Sequence, residues 1–324
     1  MLLICPPARH LRRGSGQEPE AEMMTPWRKP KSFRSGSSTR NFAHRRRDSS
    51  AMSDIAAQAR YEQFVELHRG PDTFIMPNAW DGPSALLFKE AGFKSIATSS
   101  AAFAATLGRI DGIHAVSRDT HLDHAALLTS VSGLPINGDF EDGYGETPED
   151  VQATVGAAIA RGLAGIGVED TTGDPSNPIR DFDDAVRRIE AAAAAAHGRI
   201  VLTGRTDNFL WGISDIDDTI RRLSAFAEAG ADVLYAPNLP DMAAISAVIR
   251  AVAPKPVNVL VSPQDTATLA ELQTIGVRRI SLGVDPYTHA LGATQAAAAK
   301  LVKGDLTALA SNLNFGHIID LIKG

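Results

Sequence analysis

The chain of 324 residues has a single cysteine, Cys5, so nothing from Met52 onward carries a thiol. That excludes a disulfide framework, a cysteine-ligated metal and a cysteine nucleophile or acid from the main body. Lysine is almost as scarce: after Met52 only Lys89, Lys94, Lys255, Lys300, Lys303 and Lys323 occur, and none ends a β-branched run. A Schiff-base mechanism needs a desolvated lysine and is disfavoured. No stretch approaches the ~18 uninterrupted apolar residues of a membrane span, so no membrane partner is expected and the location is expected to be cytoplasmic. No GxGxxG or Walker-type loop follows any candidate strand, which places a dinucleotide oxidoreductase last among the readings.

Charge of each sign is missing from one part of the chain. Residues 1–51 hold 11 Lys and Arg against 4 Asp and Glu, a net of +7, whereas the rest holds 21 against 34, a net of -13. An acidic body lacks the basic face that phosphate neutralisation requires, so nucleic acid is not expected as a partner. The first 51 residues are rich in Arg, Ser, Pro and Gly, show no apolar periodicity, and are expected to be a disordered basic extension. The apolar run after Met1 is broken by Pro6 and Pro7, too early for a secretory signal. Arg and Ser fit a mitochondrial-type transit peptide, but Glu18, Glu20 and Glu22 oppose it. Translation is expected to start at Met52, whose MSDIAAQARYEQFVELH opens a helix; the intact mass of the native protein checks this.

From residue 73 onward, short β-branched runs alternate with Ala-rich helical stretches. The candidate strands are residues 73–78, 94–100, 134–139, 164–170, 199–207, 231–238, 256–262 and 278–283. Between them lie helical patterns opened by Asp or Pro and closed by Gly, such as PEDVQATVGAAIARG and DIDDTIRRLSAFAEAG. Eight such units predict one α/β domain over residues 52–324, a (β/α)8 TIM barrel, rather than an open doubly wound sheet. In a barrel the chemistry sits at the C-terminal ends of the strands.

Those ends carry Asn78, Thr98-Ser99-Ser100, Asp139 with Glu141, Glu169 with Asp170, Arg205 with Asp207, Asn238, Asn258 and Ser262. Acids crowded at one rim repel one another unless something positive sits among them. Asp and Glu oxygens without His or Cys suit Mg²⁺ or Mn²⁺; the competing reading is that single acids cap helices or pair with arginine. Arg205 is either a structural partner of Asp207 or another rim acid, or a clamp for a substrate carboxylate. The small TSSA stretch would let backbone N–H groups approach an anion. His114, His121 and His124, interleaved with Asp and Arg, read as one exposed helix face.

GDFEDGYG (138–145) resembles the D-x-D/E-x-G-[YF]-G signature of the isocitrate lyase/phosphoenolpyruvate mutase superfamily, and PNAWDGPSA, ATSSAAFAATLGRIDG, GIGVEDTTG, LTGRTDNF and GADVLYAPN follow in that family's order. The resemblance runs from about residue 60 to 310. It implies that Asp139, Glu141 and Glu169, with Asp111 through water, surround Mg²⁺. It also implies that the Ser99 and Ser100 amides hold the carboxylate of a 2-oxo acid and that Arg205 binds the same substrate; Asn238, at its strand end, is expected among the substrate-binding residues with Asp139. A swapped C-terminal helix in a homodimer or homotetramer comes with it.

The departures narrow the chemistry. Isocitrate-type lyases of this family carry a KKCGH loop whose Cys donates the proton, whereas the same stretch here reads EDTTGDPSNPIRD. The phosphonopyruvate-forming mutase carries a Lys and an Asn in this loop; here Pro175 replaces the Lys and Asn177 stands at the Asn. The expected function is a Mg²⁺-dependent lyase or decarboxylase acting on a small 2-oxo or substituted malate-type acid through a pyruvate-enolate-like species. Tyr144, water held by Asn177, or bulk solvent would protonate it. A phosphonomutase or phosphonopyruvate hydrolase is the alternative, and a barrel that binds a carboxylate without turnover is the second.

Overall fold

The structure, a computed structural model, describes residues 39–112, 114–262, 267–310 and 313–324. Arg46–Gly324 cluster as one compact unit. The first helix, α1, spans Thr39–Arg69 and so begins well before Met52. Every Pro and Gly of the extension precedes Thr39, so nothing from there on interrupts a helix. The disorder expected for the extension lies, over residues 1–38, outside the described residues; over 39–51 the chain is helical.

Eight parallel strands follow: β1 (Phe74–Met76), β2 (Ile96–Ala97), β3 (Ile136–Asp139), β4 (Gly165–Glu169), β5 (Val201–Arg205), β6 (Val233–Tyr235), β7 (Val257–Leu260) and β8 (Arg279–Ser281). Each lies inside a stretch expected from the sequence. Neighbours pair in chain order, β8 pairs with β1, and a parallel bridge between Asn78 and Ala97 joins β1 to β2, closing the expected (β/α)8 barrel. The helices that return the chain are α2 (Gly82–Glu90), α3 (Ser100–Thr106), α4 (Arg118–Ser132), α5 (Pro148–Ala160), α6 (Phe182–Ala196), α7 (Ile216–Glu228), α8 (Met242–Val252), α9 (Leu269–Thr274), α10 (Asp285–Leu301) and α11 (Phe315–Lys323). Side-chain caps begin most of them; Thr147 and Thr268 form capping boxes with Asp150 and Glu271. No described helix is long and apolar enough to cross a membrane.

The main core lies between sheet and helices, where Leu122, Phe140, Val155, Ile166, Ile189, Leu202, Phe226 and Val248 are buried. A second cluster fills the other end. Phe64 of α1 packs with Val201 and Val233, the first residues of β5 and β6, and with Met76 and Ala97. Phe64 and His68 also meet the Phe74 ring edge-on, at centroid distances of 6.4 and 5.1 Å. α1 therefore packs across the strand starts, and the cavity opens at the strand ends.

Candidate active site

The segment after β2 meets the end of β3 and the loop bearing Asp111 at a single hydroxyl, that of Ser100. Ser99, just past β2, caps α3 by accepting a hydrogen bond from the Ala102 N–H. This turns Ser100 toward β3, where its N–H donates to Asp139 Oδ2 at 3.0 Å. The Ser100 hydroxyl lies 3.0 Å from the same oxygen and 3.1 Å from Asp111 Oδ2. Its one proton can serve only one carboxylate at a time. Burial, and then the charges of Asp139 and Glu141, push the Asp111 carboxyl up to about 7. The Ser100 amide, expected to hold a substrate carboxylate, holds Asp139 instead, because that carboxylate is the anion at the start of α3.

Arg205 ends β5 among acids. Its Nε and Nη2 form a fork on Asp207 at 2.6 and 3.0 Å, while Nη1 reaches Glu169 at 2.8 Å and Asp139 at 3.5 Å. The structural reading of this arginine holds, since it pairs with Asp207 and with two rim acids, and it also lines the cavity. Its guanidinium also lies over the Tyr235 ring, 5.3 Å from the centroid. Burial drives the Glu169 carboxyl upward against the opposing pull of Arg205.

The loop after β3 leaves the sheet through left-handed backbone at Glu141 (φ +48°) and Tyr144 (φ +58°). Glu141 is turned toward Tyr144 and His114, and accepts the Tyr144 hydroxyl at 2.9 Å and the His114 N–H at 3.2 Å. The Tyr144 oxygen lies 2.6 Å from His121 Nδ1, which must donate, since the phenol proton goes to Glu141. Burial, then the Glu141 charge, raises the Tyr144 hydroxyl far above its usual range. His121 and His124 are buried, not exposed as their neighbours in sequence suggested. His124 stacks on Phe103 at 3.8 Å and meets the Trp80 carbonyl at 3.0 Å, and these partners lie far off in sequence or on another helix.

A cavity of about 210 Å³ brings Ser99, Ser100, Asp111, Asp139 and Arg205 together, with Tyr235, Asn258 and Arg279 also in its lining. Other expected site residues stand elsewhere. Glu141 lines a separate cavity of about 410 Å³ with His114, Asp142 and Thr171. Tyr144 lines neither. Asn177 is exposed on the loop after β4, where its carbonyl accepts the Thr172 hydroxyl at 2.6 Å. Asn238 (φ +59°) is exposed and faces a neighbouring groove with Leu239 and Met242. The loop after β4 packs on the loop bearing Asp111 through Gly173 (φ +76°), whose Cβ, if present, would stand 2.8 Å from the Gly112 carbonyl oxygen. Sequence reasoning missed Tyr235 and Arg279, although both occupy inward positions of a strand.

Asp170 and Asp218 are the structural acids of this rim. Asp170 accepts the Asp207 N–H at 3.0 Å and Arg222 at 3.3 Å, and Arg222 Nε also reaches Asp218 at 2.7 Å. Partial burial works upward on Asp218, but hydrogen bonds from Arg222, Arg221 and Asn208 outweigh it and hold the carboxyl down at about 2. A carboxyl lowered by folding contributes stability above its ordinary value, ~3.9, and that contribution is lost as pH falls toward the folded value. Asp218→Asn should therefore lower the melting temperature at pH 6 and match wild type near pH 2, as thermal melts across pH would show.

The donor set bears on a metal. Among the described residues no three His, Cys, Asp or Glu side chains converge as a ready cage. Yet Arg205 is the one described cation in contact with Asp139, Glu169 and Asp207, and Asp111 Oδ1 is buried without a partner. Mg²⁺ takes one or two carboxylates, keeps several waters and needs no protein cage. No thiol or imidazole lines the cavity. The residues present fit a hard divalent cation.

Fold and rim define a closed parallel barrel with an acidic, arginine-centred site at the carboxyl ends of its strands. The profile described as phosphoenolpyruvate phosphomutase matches residues 64–302, and the chain belongs to that family, within the isocitrate lyase/phosphoenolpyruvate mutase superfamily of lyases and mutases. The chain is 31% identical over 244 residues to an uncharacterized protein of Mycobacterium tuberculosis (strain CDC 1551 / Oshkosh), covering 75% of this chain and 90% of that one. It is 29% identical over 231 residues to an oxaloacetate decarboxylase of Paraburkholderia xenovorans (strain LB400), covering 68% and 75%. A crystal structure of a candidate lyase/mutase from Burkholderia cenocepacia J2315 superposes with a TM-score of 0.79 at 40% identity, covering 83% of this chain and 98% of that one.

Proposed function

We propose that the protein is a Mg²⁺-dependent lyase or decarboxylase that cleaves a bond next to the 2-oxo or 2-hydroxy group of a small 2-oxo or substituted malate-type acid. The observation that carries this reading is Arg205, held between Glu169 and Asp139 and facing the cavity that Ser100 and Asp111 also line. Arg205 would orient the substrate's carboxylate and stabilise negative charge on the 2-oxygen, which is the enolate left by cleavage of a 2-oxo acid and the alkoxide that supplies the electrons, becoming the carbonyl, in cleavage of a malate-type acid. Leu260, Val284 and Leu210 would keep water from that charge. Asp139, with Asp111, Glu141 and Glu169 directly or through water, would hold the ion, which supplies a Lewis acid for the substrate's oxygens. Tyr144 gives its proton to Glu141 and lies off the cavity, which favours water over that tyrosine as the proton source.

Oxaloacetate, 2-methylisocitrate, dimethylmalate and phosphonopyruvate, each assayed for pyruvate release with Mg²⁺ and again with excess chelator, test the reading. Pyruvate from one of the first three, lost on chelation, supports it. Turnover of phosphonopyruvate alone moves the protein to the phosphonate branch, and ligand-dependent stabilisation without any product moves it to a binding role.

The C-terminal helices point to a homo-oligomer. Neither α10 nor α11 has a buried residue, and Val302 and Phe315 are 84% and 75% exposed. A swapped C-terminal segment in a homodimer or homotetramer would cover these side chains. Phe315→Asp should then shift the mass measured by light scattering toward the monomer, and an unchanged mass would count against the swap.

A further inference from the structure

Below the rim, inside the barrel, lies a second guanidinium that the proposed chemistry leaves unused. Arg279 opens β8, is 1% exposed, and lines the same cavity as Asp139 and Arg205. Its Nε donates to Asn258 Oδ1 at 2.8 Å, its Nη2 donates to Thr203 Oγ1 at 3.0 Å, and its Nη1 lies 3.4 Å from His68 Nε2. His68 can be only an acceptor there. Its Nδ1 stands 2.7 Å from the Phe64 carbonyl oxygen and must donate to it, which leaves a lone pair on Nε2. All three partners are therefore neutral.

No carboxylate pairs with Arg279 among the described residues, and Tyr235 is the one nearby group that acts electrostatically to favour its charge. Burial pulls the guanidinium down to about 9, so it is still charged at neutral pH. Buried charges in folded proteins are ordinarily paired, because an uncompensated one is costly. Three neutral acceptors engage three of the five N–H donors of an arginine, and two are left.

There is room beside it for a counter-ion. Gly167 lines the cavity from β4, and a Cβ built on it would meet nothing nearer than the Gly138 carbonyl oxygen at 3.7 Å. The floor of the cavity thus offers an unneutralised cation where barrels are usually packed with branched apolar side chains. Thr203, which touches the guanidinium, stands two residues before Arg205 on β5, about 6.6 Å lower along the strand. That is comparable to the span of a four-carbon diacid.

We propose that Arg279 is a specificity-determining residue, binding the second carboxylate of a dicarboxylic acid whose 2-oxo or 2-hydroxy end sits at the Asp139–Arg205 rim. This rests on the rim's proposed role. It explains a charged floor in a cavity whose walls include Met76, Ala97 and Leu260, and it selects diacids over monocarboxylates with an apolar tail.

Malate and 2-hydroxybutyrate, which differ by a carboxylate in place of a methyl group, are the probes, titrated calorimetrically into the full-length protein with Mg²⁺. Wild type should bind malate about tenfold or more tighter than 2-hydroxybutyrate, the scale of hydrogen bonds to a buried charge. Arg279→Gln should reduce malate to the affinity of 2-hydroxybutyrate and leave the latter unchanged. Asn258→Asp places a carboxylate against Arg279 from within; it should also erase the preference, and it decides the matter if Arg279→Gln fails to fold. A malate preference that survives either substitution, or two acids bound equally by wild type, overturns the proposal and leaves the rim intact. If neither acid binds wild type, the role of the rim falls with it.

Discussion

Arg205→Ala is expected to lower turnover by about 10²–10³-fold, the scale of losing one preorganised charge donor in a dry site. The stability of the fold should fall as well. Glu169 and Asp207 are almost completely buried and share this one guanidinium, so its removal leaves two carboxylates without a cation. Removing one partner of a buried ion pair costs about 3–5 kcal/mol. Arg205→Lys should rescue little, since an ammonium cannot make the fork on Asp207 and reach Glu169 at the same time. Steady-state turnover on the substrate that responds in the pyruvate assay, together with thermal melts, checks both effects. A variant keeping a tenth of wild-type turnover would remove Arg205 from the chemistry.

The barrel was legible because its strands announce themselves locally. Runs such as RIVLTGRTD and ADVLYAPN are short, β-branched and bounded by helices with Asp, Thr or Pro starts, and each proved to hold a strand. Asp139, Glu169 and Arg205 were legible for the same reason, since each is the last residue of its strand. Glu141 was not. It lies beyond the strand, where a φ of +48° breaks the two-residue alternation and points the carboxylate into the neighbouring cavity. His121 and His124 were misjudged because burial on α4 is set by Tyr144, Phe103 and the Trp80 carbonyl, none of which the local pattern reveals. Arg279 escaped attention because a search confined to strand ends passes over the first residue of β8, although its inward register beside Asn258 makes it part of the cavity.

The GDFEDGYG segment contains one acid whose weight the sequence did not reveal. Asp142 is buried and accepts four donors: Arg180 Nη2 at 2.6 Å, His114 Nε2 at 2.7 Å, Arg188 Nη2 at 3.3 Å and the Tyr144 N–H at 3.0 Å. Burial alone would raise this carboxyl, but His114 and the two arginines hold it below the usual range. Arg188 is itself only 1% exposed and also ties down the Asp142 and Gly145 carbonyls at 2.9 and 2.8 Å. The loop that sets Glu141 and Tyr144 in left-handed backbone is therefore clamped to α6 and to Arg180. Asp142→Ala should strand a buried guanidinium and cost about 3–5 kcal/mol, a fall in melting temperature of about 10 °C for a domain of this size. Asp142→Asn, which keeps acceptors but loses the charge, should fall between it and wild type. Adding Arg188→Met to Asp142→Ala should recover part of the loss, because removing both members of a buried pair is milder than orphaning one. A double variant no more stable than Asp142→Ala would show that the carboxylate acts through the backbone of the loop and not through the charge of Arg188.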